Sequence, residues 1–78
     1  MTIKGYYRDE DFLQRFGANL QKIRKSKGIS QEELANRCDF PMSQISRIET
    51  GVINTSISHV SAIAKGLGIA PDELFRFH

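Results

Sequence analysis

The chain is 78 residues long, with a formal charge of +2 and a single cysteine. A chain of this length buries about 60% of its unfolded surface in one domain and leaves little room for a large catalytic cleft. One thiol cannot close an internal disulfide or fill a zinc cage, and no apolar run approaches the roughly 20 residues that cross a bilayer. The N-terminus has no signal-peptide core, so a cytoplasmic protein is expected. Charge is unevenly spread: residues 1–30 hold seven Lys or Arg against three acids, and residues 31–78 hold four against six. The basic run Lys22, Arg24, Lys25 and Lys27 suits either a phosphate backbone or the C-terminal dipole of a helix.

In chain order, residues 1–8 lack periodicity and read as an arm, with Tyr6 and Tyr7 available to pack on the body or on a second subunit. A single domain is expected over 9–78. Its first helix starts near the acids Asp9, Glu10 and Asp11 and runs to about Ser26, with Phe12, Phe16, Leu20 and Ile23 as its core stripe. Gly28 caps it. Ser30 and Glu33 then form a capping box for a second helix that buries Leu34, Ala35 and Cys38.

Asp39, Phe40 and Pro41 make a tight corner, since Asp tolerates a left-handed backbone and Pro ends one helix but can begin another. The third helix runs from about Met42 to Thr50 with Ile45 and Ile48 inward and Gly51 closing it. A short polar loop with Asn54 at its tip leads to Thr55 or Ser56 as cap of a fourth helix. There Ile57, Val60, Ile63, Ala64 and Leu67 are expected to cover the helix pair. Pro71 opens a fifth, two-turn helix that returns Leu74 to the core. The expected architecture is therefore an all-α, compact five-helix bundle.

The outer stripe of the third helix carries Ser43, Ser46, Arg47 and Thr50, flanked by Met42 and Gln44. Water-facing helices are usually dressed with Glu and Lys pairs, whereas hydroxyls, an amide and one Arg suit the reading of base edges. With the S-Q-E-E-L-A of Ser30 to Ala35, the I-S-R-I-E-T-G of Ile45 to Gly51 and the A-I-A-K-G-L-G-I of Ala62 to Ile69, the chain resembles the phage-repressor and Cro-type, or XRE-like, helix-turn-helix family. The resemblance spans about Phe16 to Phe75.

That resemblance implies a lambda-repressor-like domain that reads duplex DNA in the major groove. It puts Met42, Ser43 and Arg47 at base-reading positions, with Gln44 on a neighbouring base or phosphate. Gln31, Thr50, Asn54, Thr55 and Ser56 fall at phosphate-contacting positions. It also implies a salt bridge between Arg24 and Glu49, with Arg24 near a phosphate as well. The sequence departs from the family pattern at Asp39, Pro41 and Gly66, where glycine, a polar cap and alanine are usual. Gly66 should cost about 1 kcal/mol relative to alanine unless a neighbour packs closely against it.

With only His59, expected to be solvated, and His78 as histidines, no nucleophile-base pair or metal-ligand spacing is apparent. No enzyme activity, cofactor, metal or small-molecule ligand is expected. The sequence therefore reads as a transcriptional regulator, a repressor or controller, bound as a homodimer to a two-fold operator. One of Phe75 and Phe77 exceeds what so small a core can cover, and the two are the expected dimer contact. The alternative is an antitoxin-type module that neutralises a partner protein and binds DNA only secondarily. Protein partners in view are thus a toxin or RNA polymerase, the latter through Glu32 or Glu33.

Overall fold

Asp9 stands in extended backbone and its carboxylate accepts from Phe12 N, which starts α1 (Glu10–Ser26). Ser30 does the same for α2 (Gln31–Cys38) by accepting from Glu33 N, and Ser56 for α4 (Ile57–Leu67) by accepting from His59 N. Between them lies α3 (Met42–Glu49), whose N-cap position is Pro41 and carries no side-chain cap. The computed structural model describes residues 7–77, so Tyr6 and most of the expected arm lie outside the described residues. Among those described there is no strand, and no helix is long and apolar enough to cross a membrane.

Among the described residues four α-helices form rather than five. Pro71–Phe75 is a single 3-10 turn, because its last carbonyls are taken by another element: Asn19 of α1 donates to Glu73 O at 3.0 Å and Leu74 O at 2.9 Å. Those bonds satisfy the terminal acceptors, and Leu74 still reaches the core with no exposed surface. The Ser30 capping box is formed only in half. Glu33 turns away from the Ser30 backbone to pair with Arg37 at 2.7 Å, and Arg37 in turn donates to Gly66 O, clipping α2 to α4.

The corner follows its sequence signals. Asp39 adopts φ 59° and ψ 42°, and Phe40 N reaches back to Ala35 O at 2.9 Å, so α2 closes and α3 sets off in a new direction. The core is a single cluster built from Phe16 and Leu20 of α1, Leu34 and Ala35 of α2, Ile45 and Ile48 of α3, Val60, Ile63, Ala64 and Leu67 of α4, with Ile29 and Leu74 from the connections. Two residues expected inside it are not. Phe12 is 44% exposed and Ile57 is 89% exposed, because each sits in the first turn of its helix, where the stripe overhangs its neighbours. Cys38, expected to be buried, is only partly covered; that burial is enough to push its thiol pKa up.

Two glycines let helices touch. A Cβ on Gly17 would lie 2.3 Å from Ile48 O and 2.4 Å from Glu49 O, so only a bare backbone lets α1 lie flat on the end of α3. At Gly66 a Cβ would meet Cys38 Sγ and Leu34 Cδ1, each at 3.1 Å. The close neighbour needed to explain glycine inside α4 is therefore the C-terminal half of α2.

One buried ion pair ties α1 to α3. Arg24 Nε and Nη2 grip Glu49 Oε2 and Oε1 at 2.6 and 3.0 Å, while Arg24 Nη1 donates to Ile29 O at 2.7 Å. Gln31 adds a fourth bond, Nε2 to Glu49 Oε1 at 2.9 Å. Among the described residues no buried side-chain polar atom lacks a partner. Arg24→Ala would strip a fully buried carboxylate of its counter-charge and is expected to cost about 3–5 kcal/mol. For a domain of this size that lowers the melting temperature by about 12 °C or more; a thermal melt matching wild type would show the pair to be dispensable. Gly17→Ala must prise α1 from α3, and the same melt should show a loss of at least the ~1–3 kcal/mol typical of overpacking.

Candidate nucleic-acid interface

α3 divides cleanly between an inner and an outer face. Ile45, Ile48 and Glu49 are buried; Met42, Ser43, Arg47 and Thr50 are exposed, with Gln44 and Ser46 half-covered at the margins. Met42 is 51% exposed and so lies on the outer face rather than in the core. Among the described residues, the side chains of Met42, Ser43 and Arg47 make no hydrogen bond or ion pair. A guanidinium held out from the protein without an acid beside it keeps its full set of donors for another molecule.

The residues expected at phosphates fare differently. Arg24 is 6% exposed, with all three of its nitrogens bonded to Glu49 and Ile29 within the protein. Gln31 gives one N–H to Glu49 and retains the other, together with its carbonyl. Beside it the backbone N–H groups of Gln31 and Glu32, at the start of α2, have no partner among the described residues. Thr50 donates its hydroxyl back to Ser46 O at 3.1 Å and must turn off its own helix to donate elsewhere. Asn54 is exposed, Thr55 half-buried, and Ser56 accepts from His59 N as the cap of α4. Of the basic run, Lys22, Lys25 and Lys27 are exposed and carry no ion pair among the described residues.

Two contacts were not foreseen from the sequence. Arg8 donates to Gly51 O at 3.0 Å and Val52 O at 2.7 Å, pinning the lead-in to α1 against the loop that leaves α3. His59, expected in solvent, is half-buried: Gln44 Nε2 lies 3.1 Å from its Nδ1, and the Phe40 ring meets it edge-on at 4.8 Å. Neither partnership has a local signal, since each joins residues 15 or more apart in sequence.

Away from this face, Phe75 is 45% exposed and Phe77 half-buried. They gather with Phe12, whose ring centroid is 5.2 Å from that of Phe77 and 6.3 Å from that of Phe75. Phe12, Phe75 and Val60 line an apolar groove with the exposed Ile57 at its edge. Among the described residues no group of three His, Cys, Asp or Glu is placed to hold a metal ion.

The helix-turn-helix family model matches residues 20–74 of this chain. The chain is 43% identical over 63 residues to the control protein C.BamHI of Bacillus amyloliquefaciens, covering 80% of this chain and 78% of the relative. Its fold superposes with a TM-score of 0.80 on the restriction-modification controller protein C.AhdI from Aeromonas hydrophila, at 38% identity, over 81% of this chain and 96% of that one. It also resembles the controller protein C.Esp1396I, solved as a tetramer on its natural 35 base-pair operator, with a TM-score of 0.79, 31% identity, and 86% and 88% of the two chains covered.

Proposed function

Since the chain belongs to the helix-turn-helix family of DNA-binding transcriptional regulators, we propose that it is a controller protein of the restriction-modification kind, a homodimer that binds a two-fold operator through α3. It acts by binding rather than catalysis, in the cytoplasm where the DNA is. The observation that carries this reading is Arg47, exposed and without a partner among the described residues, beside Ser43 and Met42 on a helix whose other face is locked to the core. A rigid helix presenting a short row of free polar groups suits the major groove.

In this reading Arg47 pairs with a guanine, Ser43, Met42 and Gln44 contact neighbouring base edges, and the N–H groups opening α2 take a phosphate with Gln31. Thr50, Asn54, Thr55 and Ser56 approach the flanking backbone. One such module makes few contacts, and two of them about 34 Å apart match successive turns of one face of the duplex. The apolar groove of Phe12, Ile57 and Phe75, with Phe77 against the Phe12 ring, is where the second copy packs.

Selection from random duplexes at about 0.15 M salt is expected to return one inverted repeat. Arg47→Ala should then lose about 1–3 kcal/mol at a single base pair per half-site while its affinity for random DNA hardly changes. A chain whose main task was to capture a partner protein would return no preferred site. For the dimer, Ile57→Asp places a charge on a residue 89% exposed and should leave the helical spectrum unchanged. Sedimentation is expected to show the variant as a monomer and the parent as a dimer; an unaltered dimer would put the contact elsewhere.

A further inference from the structure

Three segments converge on one imidazole. His59 projects from α4; Phe40 reaches it from the corner, ring edge to ring at 4.8 Å, and Thr55 Oγ1 lies 3.4 Å from its Nδ1 from the loop before α4. On that same Nδ1, at 3.1 Å, sits Nε2 of Gln44, at the margin of the outer face of α3. With its amide nitrogen facing Nδ1, Gln44 is the donor and Nδ1 the acceptor in the tautomer that carries the ring proton on Nε2. Phe40 packs edge-on against the ring, and the bond to Gln44 joins α4 to α3.

We propose that His59 is a positioning residue for base readout: it fixes which way round the Gln44 carboxamide faces the groove, and so gives Gln44 a preference for adenine. The inference rests on the reading of α3 as the groove-facing helix. A free glutamine can turn its amide by half a rotation and offer either donors or an acceptor. With one N–H committed to His59, the carbonyl oxygen and the second N–H remain. That acceptor-donor pair matches N6–H and N7 of adenine. The roles of the two residues are separate: Gln44 touches the base, and His59 acts only through Gln44.

The test is selection from random duplexes with the full chain and four proteins: wild type, Gln44→Ala, His59→Leu and His59→Asn. Leucine fills the space without an acceptor, whereas asparagine returns an amide oxygen close to where Nδ1 was. His59→Leu is expected to select the parental site at all positions but one in each half-site. There the adenine preference should fall about tenfold toward the Gln44→Ala value, the scale of a lost base contact. His59→Asn should restore it. Uniform weakening at every position in His59→Leu, or no change at any, would overturn the proposal and leave His59 a structural link between α3 and α4. If Gln44→Ala selects like wild type, the proposal fails while the DNA-binding reading stands; if wild type selects nothing, both fail.

Discussion

Glu49 accepts three hydrogen bonds below the surface, two from Arg24 and one from Gln31, and the orientation of the outer face of α3 depends on them. α3 has only eight residues, too few to be helical by itself in water. It is held at one end by the Asp39 corner and at the other by this carboxylate, which α1 grips through Arg24 and α2 through Gln31. Because a buried charge is costly unless fully paired, the network tolerates few alternative arrangements. Arg24 also closes Ile29 O in the link to α2, so one guanidinium sets the relative placement of three helices.

Gly17 completes that constraint from the opposite direction. With no side chain between α1 and the carbonyls of Ile48 and Glu49, the two helices approach closely enough for a bidentate ion pair to form at ordinary distances. Arg8 adds a surface clip to the loop after α3. The outer residues of α3 therefore sit on a support with little freedom, and contacts made by a rigid reader cost less conformational entropy than those of a mobile one.

Much of this was legible in the residue order. Ser30 as a cap, a cap for α4 at Thr55 or Ser56, Asp39 as a left-handed stop and the inward Ile45 and Ile48 all depend on interactions within one or two helical turns, where spacing is a direct guide to geometry. The family motif located the charges of Arg24 and Glu49, but not that the pair would be buried beneath α3 with a further bond to Ile29 O. Period alone also misplaced Phe12 and Ile57, since it identifies the stripe that faces inward without telling how far along the helix the neighbours extend.

The sequence by itself determined four of the five helices it led one to expect, the Ser30 cap, the corner and the outward stripe with Met42, Ser43 and Arg47, because those are local consequences of propensity and periodicity. The tertiary structure alone decided that Pro71–Phe75 stops at a 3-10 turn, that Gly66 makes room for Leu34 and Cys38, and that His59 holds Gln44. Each depends on which groups from distant segments meet in space, and that distance is set by packing against the shared core rather than by any pattern along the chain.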